Sequence, residues 1–224
     1  MKFSKIGIVL LFVIGLCFSA AGALESGQAA SEDQSPARPG DIMPFGGYDW
    51  RVLDVRDNRV LLISDKIIET KAYHNGGATI TWEKCTLREY LNGEFYDKFS
   101  AAEKAAIAET TIPNEDNQWF GTSGGAATAD KIFLLSLEEA VRYFGDSGQL
   151  ENRPKLKPSY ITDQYDSARI AKNASGKALW RWLRSPGNRS DRAAIVNLDG
   201  FVYIDGSSVD NYSGGVRPAL WLNF

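Results

Sequence analysis

The chain has 224 residues, of which 44% are hydrophobic and 24% charged, with a formal net charge of −3. That is the composition of a globular protein, so a disordered, collagenous or coiled-coil chain is excluded. The acidic balance also offers no match to a phosphate backbone, which excludes nucleic-acid binding.

Lys2 and Lys5 precede an apolar run over residues 6–18 that closes on Ala21-Gly22-Ala23. A basic start, a short apolar centre and an A-x-A-like end read as a secretory signal peptide over residues 1–23. Left uncleaved, the same stretch would be a membrane anchor at the lower limit of length. A lipoprotein reading would acylate Cys17, but Leu16 is bulky where a small residue is wanted. Loss of the leader takes the charge from −3 to −5 and leaves Cys85 as the one thiol, which rules out an internal disulfide or a cysteine-based metal cluster. Residues 24–39 are polar, small and Pro-punctuated, a flexible linker. One globular domain over residues 40–224 follows. The expected location is secreted or cell envelope, and membrane contact is expected only through an uncleaved leader.

Residues 48–55 alternate, Asp57-Asn58 tolerate positive φ, and residues 60–63 resume the apolar pattern, which predicts a β-hairpin. After a glycine loop at Asn75-Gly76-Gly77 the period becomes helical. Thr86 is placed to cap a helix with Leu87, Tyr90 and Leu91 on one face, and Phe95 and Phe99 continue the stripe. Ser100 with Glu103, and Ser136 with Glu139, are capping-box patterns opening two further helices. The second helix follows a strand-like run at residues 131–135 and ends near Gly145. A weaker helix is expected over residues 162–171. Asp199-Gly200 reads as a two-residue turn that sets Ile195 opposite Ile204, with Val202 on the same core face. Pro218 cannot donate to a ladder, so residues 215–222 form an edge strand, or the proline lies at a strand start or a bulge. Strands, then helices, then strands predict an α+β fold around an antiparallel sheet.

Little of this points to catalysis. Gly121-Thr122-Ser123-Gly124-Gly125 matches the G-x-S-x-G elbow without its strand, helix or downstream histidine, and reads as a glycine loop. His74 lies in turn composition. Cys85, ahead of a helix N-terminus and near His74, is the one nucleophilic pair on offer, set against a small buried residue packing beside Leu87. Residues 114–117 and Asp199, Asp205 and Asp210 are hard oxygen ligands that match no EF-hand loop. No cofactor is expected, with calcium as the alternative.

The end of the chain carries more. Trp180 and Trp182 share one side of an alternating segment. Asn188, Arg189 and Asp191 form a polar loop, Tyr203 and Asp205 lie on the wetter face of the hairpin, and Asp210, Asn211 and Tyr212 form a second loop. Amphipathic aromatics among Arg, Asn and Asp are the side chains of a ligand-recognition surface.

Five ordered blocks support a resemblance: Phe45 to Asp54, Thr81 to Asn92 with Phe95-Tyr96, Asp130 to Ser136, Trp182-Leu-Arg-Ser-Pro-Gly187, and Gly215-Val-Arg-Pro-Ala-Leu-Trp-Leu222. With them the chain resembles a bacterial domain-of-unknown-function family of secreted and surface proteins. More remotely, the last two blocks are similar to the ending of C-type-lectin-like domains, a group that includes formylglycine-generating enzymes and the variable proteins of diversity-generating retroelements. That resemblance implies a C-type-lectin-like scaffold. The chain lacks the second mature cysteine of the enzymes and the E-P-N, Q-P-D and W-N-D motifs of calcium-dependent lectins. Within this reading Arg184 and Arg217 are structural, satisfying backbone carbonyls or a carboxylate. The expected function is an exported, non-enzymatic recognition domain for a polysaccharide or protein of the envelope or exterior. The alternatives are a cell-wall or polysaccharide hydrolase using a carboxylate pair and a structural envelope component.

Overall fold

The structure, a computed structural model, describes residues 37–155 and 159–223. The expected signal peptide and residues 24–36 of the linker lie outside the described residues. The end of the linker does not. Ala37 is buried in the hydrophobic core and the Gly40 amide donates to Val52 O at 2.9 Å, so the packed chain begins ahead of Gly40.

Strands β1 (Ile42–Phe45), β2 (Tyr48–Arg56) and β3 (Arg59–Ser64) form an antiparallel meander. The β2–β3 turn is the predicted one: Asp57 and Asn58 adopt φ 51° and 57°, both left-handed, as a type I′ turn demands. A short strand, β4 (Glu69–Thr70), leads into the glycine loop and helix α1 (Thr86–Tyr90). Here the cap lies one residue earlier than expected. Cys85 is extended (φ −75°, ψ 148°) and its sulfur accepts from the Arg88 amide, while the Thr86 hydroxyl accepts from the Asn75 amide at 3.0 Å and fastens the glycine loop. Leu87, Leu91, Phe95 and Phe99 are all buried, their stripe carried on through a π-type turn over Leu91–Phe95.

Both predicted capping boxes are present, at Ser100 with Glu103 ahead of α2 (Ala101–Ala106) and at Ser136 with Glu139 ahead of α3 (Leu137–Phe144). Between them run β5 (Ile107–Ala108) and a two-stranded ribbon of β6 (Thr110–Ile112) and β7 (Thr128–Asp130). The expected strand at residues 131–135 is buried but pairs only as a bridge between Phe133 and Ala219. At its start the backbone is met by a side chain instead: Asn92 Oδ1 accepts from the Lys131 and Ile132 amides and Asn92 Nδ2 donates to Ile132 O, while Leu135 O accepts from the Arg184 amide.

After β8 (Tyr160–Ile161) the weaker predicted helix shrinks to one turn, α4 (Asp166–Arg169), because the chain at residue 171 enters a ribbon of β9 (Ala171–Lys172) and β10 (Ala178–Leu179). Strands β11 (Arg181–Pro186), β12 (Arg192–Val196) and β13 (Val202–Ser208) follow. The last hairpin departs from the predicted register by one residue. Ile195 faces Tyr203 and Val196 faces Val202, because the Asn197 amide bonds to Phe201 O around a three-residue loop ending in Gly200 at φ 92°. An Asp-Gly pair serves this bulged loop as well as the two-residue turn. The shift keeps Val202 and Ile204 in the core and puts Val196 there in place of Ile195.

The chain ends in β14 (Gly215–Val216) and β15 (Ala219–Asn223), with Pro218 immediately before β15. Two main sheets result, one ordered β1-β2-β3-β15-β5 and the other β4-β14-β11-β12-β13-β8. Their strand pairs are antiparallel apart from β11 with β14, so the fold is α+β. The chain passes from the second sheet to the first at Arg217-Pro218, and β11, central in its sheet, is buried along all six residues.

Candidate functional site

The first of the expected loops meets the hairpin and the second loop, the Val209 amide donating to Asp191 O at 3.1 Å, but not every residue expected on that surface reaches it. Trp182 is a correction: it is fully buried, its Nε1 donates to Lys71 O at 2.9 Å, and its ring packs on Tyr73 and Trp180. The Gly214 backbone presses against it so closely that a Cβ there would sit 1.9 Å from the indole nitrogen. Trp180 is partly buried, edge-on to Trp182.

The loop after β11 holds Arg189 and Asp191, which close on each other through two hydrogen bonds of 3.0 and 2.9 Å. Asn188 donates its amide to Asp205 O, and the Oδ1 atoms of Asn188 and Asp205 are buried without a donor among the described residues. Tyr203 stacks on Tyr160, which stacks on Phe201, an aromatic row along β13 and β8. In the second loop Ser208 Oγ donates to Asp210, and Asn211 Oδ1 accepts from the amide and hydroxyl of Ser213, a local turn. Tyr212 alone stands free, 67% exposed.

Tyr212 lines a cleft of about 660 Å³ whose other walls come from β4, the glycine loop and α1, including Thr70, Lys71, Asn75, Tyr90 and Glu94. The Tyr90 hydroxyl donates to Glu69 Oε1, and Lys71 Nζ lies 3.8 Å from Glu69 Oε2 and 4.0 Å from the centre of the Tyr90 ring. Burial first, then the hydrogen bond to Glu69, pushes the Tyr90 phenol upward, so it stays a hydroxyl donor at any physiological pH. The cleft therefore presents two aromatic rings among hydroxyl, amide, ammonium and carboxylate groups. Sequence reading missed this wall because Tyr90 follows the same helical spacing as the core residues Leu87 and Leu91. The polar alternation of Glu69-Thr70-Lys71 was its only local signal.

The nucleophile candidates are disposed otherwise. Cys85 is buried, its thiol pushed up to about 12 chiefly by burial, and His74 Nδ1 accepts from the Thr86 amide at 3.4 Å. A thiolate is the reactive form, so in a Cys17→Ser chain Cys85 should resist a thiol-specific reagent in the native state and react fully after denaturation. Stoichiometric labelling of the native protein within minutes would contradict this. Ser123 lies in an exposed loop whose Gly124 amide is held by Asp116.

Among the carboxyl groups with a clear shift, Glu103, Asp163 and Asp191, all move downward, each held by hydrogen bonds. Glu89 and Glu94, which line the cleft, are exposed. Among the described residues no three of His, Cys, Asp and Glu converge as a metal site would require. In the 114–117 loop Asn117 is buried instead as a clamp, donating to Pro186 O on β11 and Ile204 O on β13 and accepting from the Trp119 amide.

Arg184 donates to Leu134 O and Pro113 O and pairs with Glu139, joining β11 to the first turn of α3. Arg217 donates through Nε to Ser64 O at 2.8 Å. The sheets and the cleft together define an α+β domain with a polar, aromatic-walled depression on one side. The chain belongs to the DUF6273 family, a domain of unknown function whose model matches residues 57–224. Comparison with curated proteins and with solved structures yields no match.

Proposed function

We propose that this chain is an exported, non-enzymatic recognition domain that binds a polysaccharide in the cleft lined by Tyr212. The observation that carries the reading is the exposed Tyr212 in the wall of a cleft lined also by a second tyrosine and by neutral and charged hydrogen-bonding groups. Aromatic faces cover the apolar side of a sugar while hydroxyl, amide and carboxylate groups serve its hydroxyls. The leader-like residues 1–23 support export to the cell envelope or beyond. The scaffold is read as C-type-lectin-like on its Trp182-Leu-Arg-Ser-Pro-Gly187 and Gly215 to Leu222 blocks, which lie in β11 and in β14 with β15. A hydrolase would want a carboxyl held protonated by a dry setting, and the exposure of Glu89 and Glu94 favours binding instead.

Screening the chain against a panel of bacterial and plant polysaccharides is expected to return hits that Tyr212→Ala weakens about tenfold or more, as for a central aromatic anchor. Tyr212 touches little else, so the variant should keep its melting temperature. Undiminished binding by Tyr212→Ala would remove the cleft from the proposal. Capture of an envelope protein with no glycan hit would replace the polysaccharide by a protein ligand.

A further inference from the structure

A second cavity, of about 640 Å³, lies where the chain crosses between the sheets. Four cationic side chains line it, Arg51, Lys66, Lys172 and Arg217, against the single carboxylate of Asp65. Arg51 already holds that carboxylate at 2.9 Å. Lys66, Lys172 and Arg217 thus have no ion-pair partner among the described residues, in a chain whose formal net charge is −3.

Arg217 is 4% exposed. Its Nε donates to Ser64 O and its Nη2 to Asp65 O, both neutral carbonyls, while the buried Nη1 has no hydrogen-bond partner among the described residues. Nearby Arg181 is 1% exposed, and its Nε and Nη2 are likewise without hydrogen-bond partners among the described residues. Both guanidinium groups lie against the ring of Phe144, at 5.6 and 5.3 Å, and Phe144 itself lines the cavity. Two buried guanidinium groups with no carboxylate in ion-pair contact among the described residues are an arrangement that folding alone disfavours. A planar guanidinium with free N–H groups is instead matched to an oxyanion.

We propose that this cavity is an anion-binding site, separate from the Tyr212 cleft, in which the Arg217 guanidinium in the wall attracts a carboxylate or phosphate of the ligand and Lys66 and Lys172 draw it in at the mouth. Arg181 adds positive potential nearby, and Arg51 keeps Asp65 from occupying the site. The shared chemistry is the oxyanion.

Thermal unfolding of the chain at fixed ionic strength, with citrate, inorganic phosphate or chloride added, tests the proposal. At ten times the dissociation constant the matching anion should raise the melting temperature by about 3–6 °C. The stronger of the citrate and phosphate arms identifies carboxylate or phosphate as the group recognised. Lys66→Ala with Lys172→Ala, both exposed at the rim, should fold normally and lose most of the shift, whereas Lys84→Ala on a distant exposed surface should keep it. Equal shifts with chloride, no shift with either oxyanion, or a shift retained by the Lys66 and Lys172 double variant would each overturn the proposal. None of these residues lines the Tyr212 cleft, so this result and the polysaccharide screen stand or fall separately.

Discussion

Arg169→Met is expected to destabilise the domain by about 3–5 kcal/mol, the cost of leaving a buried charge without its partner. The Arg169 side chain is fully buried and grips Asp163, itself only 2% exposed, through two hydrogen bonds of 2.9 and 3.0 Å. The same guanidinium reaches Asp166 at 3.2 Å and the carbonyl of Gly145 at the end of α3, so it ties α4 to α3. Burial alone would raise the Asp163 carboxyl. The hydrogen bonds from Arg169, Ser147 and the Tyr165 amide outweigh it and hold the group below its ordinary value.

Because the folded value is depressed, Asp163 contributes its stability above the unfolded carboxyl value of about 4 and loses it as pH falls through the lower folded value. The variant reverses this. Without Arg169 the buried carboxylate is a burden at pH 7 that a proton relieves, so the gap to the parent chain should narrow toward pH 4. Urea unfolding at pH 7 and pH 4 measures both. A loss under 1 kcal/mol at pH 7, or a gap that widens in acid, would refute this account.

What could be read from the residues, and what could not, follows from how local each signal is. Asp57-Asn58 and the two capping boxes are satisfied within a few residues of chain, so no distant contact can override them. The Asp199-Gly200 turn is equally local but has two solutions that differ by one residue. Packing of Phe201 on Tyr160, from a strand 40 residues earlier, accompanies the bulged one. Trp182 escaped because alternation identifies the two faces of a strand without telling whether one of them is wet. A strand as central as β11 is buried on both. The same alternation places Arg181 on the side opposite Trp182, yet an arginine in a strand carries no local mark of having lost its counter-ion. The basic cavity is assembled from Arg51, Lys66, Lys172 and Arg217, spread over 166 residues of sequence, and only the crossing of the chain at Pro218 brings them together.

Arg181→Met should act with the opposite sign to Arg169→Met, although the two arginines are equally hidden from water. Arg169 has Asp163 and Asp166; Arg181 has no carboxylate partner among the described residues and lies against the Phe144 ring at 5.6 Å. Burial first, and then the nearby charges of Arg217 and Arg169, drive its guanidinium well below its ordinary value, which is the mark of a cation held where the fold disfavours it. Methionine keeps an unbranched apolar stem against Phe144 and removes the charge. Replacing buried charges by apolar groups of similar volume can stabilise a fold by about 1–4 kcal/mol, and a gain in that range is expected for Arg181→Met in buffer free of oxyanions. The gain should shrink when citrate or phosphate is added, because the parent chain then acquires the missing counter-charge and the variant binds it less well. Denaturation of both proteins with and without the anion reads the two effects together. A variant less stable than the parent in oxyanion-free buffer would mean that Arg181 is compensated within the fold, and the potential ascribed to it near Arg217 would go with it.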